Sequence, residues 1–175
     1  MKKQQHILVA LVQNHPGVLN RVASLFRRRA FNIDSLTVGR TERDDISRMT
    51  IVVDGENTDV EQVVKQLYKV IEVLKVSEIT ADPTVVTEIA LIKVAANASQ
   101  RPEIASLAEI FRARIEDVAA DSMIVEVTGS EQKIENLLNL LRPYGIKEMV
   151  RTEAVAMTRG SSVARPSEVV LEAAG

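Results

Sequence analysis

The 175-residue chain has no cysteine and no tryptophan, and aromatic residues make up only 3% of it. Without cysteine there is no disulfide, no thiol nucleophile and no thiolate metal ligand. That fits a reducing compartment, and the chain is read as cytoplasmic. With so few rings, the core must be built from Val, Ile, Leu and Ala, which suits sheets packed beneath helices. Surplus charge is also missing: 22 basic residues face 24 acidic ones, for a formal net charge of −2. Nucleic-acid binders carry a basic excess or stripe that neutralises phosphates, so the balance argues against that class. The apolar run near the start, Ile7 to Val12, is too short for a secretory signal core or a bilayer span. Neither a GxxxxGK[ST] phosphate loop nor a GxGxxG fingerprint occurs, and the aromatic pattern that stacks RNA bases is absent.

What is present is a repeated unit. Ile7 to Val12 is continuously apolar, as expected of a strand covered on both faces, and Asn14-His15-Pro16-Gly17 ends it. Val18 to Ala30 reads as an amphipathic helix with Leu19, Val22, Ala23, Phe26 and Ala30 inward. Phe31 to Gly39 and Ser47 to Val53 read as a hairpin across the polar turn Thr41 to Asp45. In the first of these strands Phe31, Ile33 and Ser35 are expected to face one way, and Asn32, Asp34 and Leu36 the other. Thr58 and Glu61 form a capping-box signature before a helix with the stripe Val60, Val63, Val64, Leu67 and Ile71. A strand from Val73 to Thr80 closes the unit.

The order recurs after Asp82-Pro83-Thr84: strand Val85 to Ala96, helix Pro102 to Arg112, and a hairpin around Asp121-Ser122. A helix opened by Ser130 and a last strand from Ile146 to Met157 complete the second copy. The expectation is an α+β protein of two tandem ferredoxin-like βαββαβ domains, 5–81 and 85–158, with residues 159–175 a mobile tail.

The chemically richest segment is Asn14 to Leu19, where a strand meets a helix. Backbone N–H groups at a helix start lack internal partners, and the helix dipole favours negative charge there. A small carboxylate fits those groups, with Gly17 allowing close approach and Asn14 and Asn32 offering amide contacts. The alternative is purely structural: Asn as N-cap, Pro in the first turn, Gly in the loop. His6 and His15 are the only histidines and make a poor metal site. No nucleophile, paired acid or metal cluster is found, so no catalytic and no metal-binding residue is assigned. Arg27 to Arg29 complement the end of the first helix, and Asp44 and Asp45 are turn residues.

These residues also resemble a known family. The turn before Gly17-Val18-Leu19, together with Arg21 to Phe26, Phe31 to Val38, and Ser47 to Ile51, is similar to the ACT domain of acetolactate synthase small subunits. Glu88 to Val94 and Ala108 to Arg112 resemble that family's C-terminal domain. The resemblance implies a non-catalytic regulatory subunit that activates a large catalytic subunit and confers feedback inhibition by valine in branched-chain amino acid biosynthesis. It implies a valine site on Asn14, Gly17, Val18 and Asn32, formed between the ACT domains of a homodimer. Thiamine diphosphate, magnesium and FAD are then expected on the catalytic partner, with none bound by this chain. Many family members have small or acidic residues where this chain has His15-Pro16. The second repeat lacks the glycine, reading Asn97 to Glu103 instead, and is not expected to bind an amino acid in the same manner.

Overall fold

A computed structural model describes residues 5–56 and 59–160. The apolar run becomes the interior of an antiparallel sheet: β1 (Gln5–Gln13) lies between β3 (Ile46–Asp54) and β4 (Val73–Glu78), with β2 (Ile33–Arg40) outside β3. The register runs from Gln5 opposite Asp54 to Gln13 opposite Ile46. Helices α1 (Val18–Arg29) and α2 (Val60–Leu67) cover one face, where Leu8, Ala10, Val12, Met49, Ile51 and Val53 join Val22, Phe26, Val63 and Leu67 in one core. On the opposite face Val9 packs against Ile79 and Ala156. β1 is therefore covered on both sides by its own chain, and both of its edges are paired.

Four local expectations are corrected. The helix α1 is rotated: Val18, Val22, Leu25 and Phe26 are buried, while Leu19, Ala23 and Ala30 are exposed. The bulky Leu25 displaces the small Ala23 from the core face, and Ala30 lies past the helix end as a left-handed C-cap at φ 53. In β2 the register slips between Ile33 and Ser35. A bulge there turns both Ile33 and Leu36 toward the core, which is why strict alternation failed in the sequence. α2 ends at Leu67, so Ile71 falls in the turn to β4 and is 85% exposed. The hydroxyl of the capping Tyr68 accepts from the Val76 N–H at 3.0 Å and donates to its carbonyl at 3.2 Å. Thr58 lies outside the described residues; the α2 cap is Asp59, whose carboxylate accepts from the Gln62 N–H at 3.2 Å.

The second sheet has the order β6 (Arg114–Val118), β7 (Ser122–Gly129), β5 (Thr84–Ala95), β8 (Ile146–Arg151). Helices α3 (Arg101–Ile110) and α4 (Glu131–Leu141) bury Ile104, Ala108, Ile134, Leu137, Leu138 and Leu141 against Ala90, Ile92, Val94, Val125 and Val127. Ser130 caps α4, accepting from the Lys133 N–H at 3.3 Å. The expected last strand is broken: β8 stops at Arg151 and β9 (Val155–Thr158) follows separately, pairing with β5. The described residues fall into two compact units, 5–85 with 156–160, and 86–155. Both units are antiparallel sheets with interleaved helices, the α+β architecture of tandem ferredoxin-like domains. The tail beyond residue 160 lies outside the described residues. No helix among the described residues is long and apolar enough to cross a membrane.

Candidate functional site

The turn between β1 and α1 is held from the β2–β3 hairpin. Asn14 donates its backbone N–H to the Asp45 carbonyl and its side-chain amide to the Asp44 carbonyl, each at 2.8 Å. The hairpin turn is itself braced: Arg43 grips the Asp45 carboxylate at 2.7 and 3.1 Å, and the Thr41 hydroxyl accepts from the Arg43 N–H. The hydrogen bond from Arg43 holds the Asp45 carboxyl below its ordinary value and raises the guanidinium. Asp44 and Asp45 are turn residues as expected, and their carbonyls are what fix Asn14.

With its amide N–H committed, Asn14 has its side-chain oxygen left to accept from a ligand. It does not cap the helix. The N-cap is Gly17, in the left-handed region at φ 90, and no side chain caps α1. The Val18 N–H reaches the His15 carbonyl at 3.4 Å and the Arg21 N–H reaches Gly17 at 3.0 Å. Between them, the N–H groups of Leu19 and Asn20 have no acceptor among the described residues. A Cβ built on Gly17 would meet nothing within 4 Å, so space is open above this helix start. Unpaired N–H groups, the positive end of a helix dipole and open space together form an anion-binding arrangement.

Val18 is buried in the core, so its side chain is not available to a ligand and only its main chain borders the turn. The exposed apolar residue beside this turn is Leu19, 47% exposed. Helical spacing alone predicts Leu19 on the inward face, and only the rotation of α1 on its sheet exposes it.

Asn32 lies elsewhere. Its carbonyl accepts from the Asp54 N–H at 3.4 Å, and Asp54 is opposite Gln5, at the start of β1. Asn14 follows Gln13 at the other end of that strand, so the two asparagines are separated by about 26 Å at the ordinary rise of a strand. One chain does not bring them together. Asn32 is exposed and precedes β2 directly.

The equivalent position in the second unit is closed. The Asn97 carboxamide oxygen accepts from the Ser99 and Gln100 N–H groups, each at 3.0 Å, and from the Ser99 hydroxyl at 2.7 Å. A side chain already holds the turn that leads into α3. His6 contacts Glu78 at 2.6 Å. No group of three metal-ligating side chains occurs among the described residues.

Comparison with known proteins gives two family models. One for an "AHAS small subunit-like ACT domain" matches residues 8–75, and one for the "small subunit of acetolactate synthase" matches residues 87–160. The chain is 60% identical to a probable acetolactate synthase small subunit of Archaeoglobus fulgidus, over 90% of this chain and 98% of that protein. It is 52% identical to the acetolactate synthase small subunit of Bacillus subtilis, over 90% and 92%. Among solved structures, the acetolactate synthase small subunit of Thermotoga maritima superposes with a TM-score of 0.84 at 42% identity, covering 91% of this chain and 99% of that one.

Proposed function

The chain belongs to the acetolactate synthase small-subunit family, and from that premise we propose that it is a regulatory subunit that senses valine and passes the signal to a large catalytic subunit. Membership implies that large subunit as the partner. The thiamine diphosphate, magnesium and FAD chemistry is assigned to it, while this chain activates it and imposes feedback inhibition.

The supporting observation is the separation of the site residues. Asn14 and the uncapped start of α1 stand at one end of β1, and Asn32 at the other. A two-fold dimer of ACT units running antiparallel places the Asn32 of each copy against the Asn14–Gly17 turn of the other, forming two equivalent composite sites. The effector carboxylate then meets the Leu19 and Asn20 N–H groups. Its ammonium meets the Asn14 and Asn32 amide oxygens, and its side chain meets an apolar wall that includes Leu19. The exposed apolar positions Leu19 and Ala23 on α1 suit burial in such a dimer. β1 offers no argument for a dimer, since its own chain covers it.

Complementation tests this reading. Asn14→Ala and Asn32→Ala are each expected to lose valine binding in calorimetry. Mixed and refolded together, they form heterodimers in which one of the two sites has both asparagines intact, and binding returns to that site. If mixing restores nothing, the composite site is refuted. Feedback requires valine to favour one state of the complex by about 1–3 kcal/mol, a typical allosteric coupling.

A further inference from the structure

The exposed face of α1 has two unlike flanks. At about 3.6 residues per turn, Leu19 and Ala23 lie to one side of it, and Arg21, Ser24 and Arg28 to the other. The second flank faces the turn between α2 and β4, and the two bound an open groove of about 440 Å3. Lys69, Ile71 and Glu72 form the opposite wall. The effector site draws on the helix start and on the Leu19 side, and leaves this groove unused.

The walls carry three cations against one carboxylate. Glu72 is buried and Arg21 pairs with it, which neutralises the acid and holds that guanidinium at the groove wall. The Arg21 side chain is 58% exposed, so its remaining N–H groups are open to a further acceptor. Arg28 and Lys69 are exposed and have no carboxylate partner among the described residues. The chain as a whole is net negative, at −2, so this concentration of unpaired cations is local rather than a general excess. Beside them Ile71 is the most exposed large apolar side chain among the described residues, at 85%. Arg21 and Arg28 are two helical turns apart, about 10 Å along the axis. One small anion does not span that distance, whereas a peptide bearing several carboxylates does.

We propose that this groove receives an acidic segment of the large catalytic subunit, with carboxylates on Arg28 and Lys69 and an apolar residue against Ile71. Charge complementarity selects the occupant: unpaired donors on both walls call for a partner rich in acceptors. A second copy set groove to groove would oppose cation to cation. The assignment of the segment to the catalytic subunit rests on the regulatory reading above. Because Leu19 and Ala23 are on the far flank, the proposed ACT dimer and this contact form without competing.

The test uses the full chain with two probes, a hexaglutamate peptide (hexaglutamine as its control) and the catalytic subunit. Hexaglutamate is expected to bind saturably, hexaglutamine not, and the peptide should compete with the catalytic subunit. Arg28→Glu and Lys69→Glu should each weaken both probes about tenfold or more, because each removes a charge-assisted contact and adds repulsion. Arg142→Glu makes the same charge change at an exposed position of the second unit and should leave both probes unaffected. Valine binding should match the wild type in all three variants. Lys69 lies in the turn after α2, so its variant keeps the test decisive if Arg28→Glu disturbs the end of α1. Unchanged assembly in both groove variants overturns the proposal, as does an equal loss in Arg142→Glu or a peptide that does not compete. A change in self-association of the groove variants alone would make a second copy the occupant and overturn it too. If the wild-type chain does not bind the catalytic subunit at all, the regulatory reading falls and this occupant with it. The hexaglutamate arm then shows separately whether the groove takes acidic segments.

Discussion

Gly17→Ala and Gly17→Asp impose similar backbone strain but place different chemistry at the start of α1. Gly17 sits at φ 90 and ψ −11, where an L-residue costs about 1–2 kcal/mol. Part of that is offset because any side chain restricts the unfolded chain, by about 0.4–1 kcal/mol. A new Cβ meets nothing within 4 Å, so no packing penalty adds to it. The net expectation is a loss of about 1 kcal/mol, or about 4–8 °C in Tm for a unit of this size. The two variants diverge with ligand. Valine at 100 times its Kd stabilises a folded chain by about 2.7 kcal/mol. Gly17→Ala, which keeps the N–H groups free, should retain part of that gain. Gly17→Asp brings its own carboxylate to the same N–H groups, repels the effector's, and should show none. Thermal melts with and without valine, backed by calorimetry, read both effects. Equal valine responses in the two variants would refute an anion site at this helix start. A Tm loss above about 15 °C in Gly17→Ala would refute the claim that the space is open.

Ala30 and Arg112 are the non-glycine residues with positive φ among the described residues, at 53° and 49°. Ala30→Gly and Arg112→Gly should each raise stability by up to about 1 kcal/mol in urea denaturation, and a fall in either would mean that the side chain is needed. Arg151 bonds Glu88 at 2.6 Å and Glu135 at 2.7 Å; burial lowers its pKa, but those bonds outweigh burial and keep it raised. Arg151→Leu strands Glu88, which is 13% exposed, and should cost about 2–3 kcal/mol, less than a fully buried pair because Glu135 is partly wet. Adding Glu88→Leu should return part of that loss, and simple additivity of the two variants would refute the coupling. The hydrogen bond from Lys147 holds the Asp121 carboxyl below its ordinary 3.8. Its folded-state pKa is depressed, so its contribution is present above pH 3.8 and is lost as pH falls through the folded value. Lys147→Ala should therefore lower stability at neutral pH and leave it unchanged at the acid end, flattening the acid side of the profile, and an equal loss at both ends would refute the linkage.

The elements were legible in the sequence because core contacts impose simple periods. The two βαββαβ patterns followed from apolar runs and turn residues that local physics strongly constrains. The misses share one cause, competition between neighbours for the same core space. Ala23 and Leu25 both fit an amphipathic α1, and which one is buried depends on the sheet beneath. The bulge before Ser35 is invisible until β2 pairs with β3. The break after Arg151 depends on where β9 pairs, which no window of residues 146–157 contains.

The effector site was legible by a different route. Asn14 and Gly17 stand out for helix-start chemistry, whereas Asn32 is offered by the residues only as a further amide at the entry of the next strand, and the family resemblance implies its place in the site. The structure explains why spacing offered nothing: residues 14 and 32 are separated by the length of β1, and no intrachain geometry links them. The two repeats carry the same lesson in reverse. Both begin a helix after a central strand, and the turns leading into those helices differ. In the second unit the Asn97 carboxamide oxygen takes the Ser99 and Gln100 N–H groups of the turn, and Pro102 supplies no N–H at the helix start. In the first, no side chain turns back onto the helix start, and the Leu19 and Asn20 N–H groups stay open. Asn97→Gly should accordingly open the second turn and cost about 1 kcal/mol through the lost side-chain hydrogen bonds. It should still bind no valine there, because an uncapped helix start lacks the second asparagine that the proposed dimer supplies. Valine heat at a second site in Asn97→Gly would show that the helix start alone suffices and that Asn32 is dispensable.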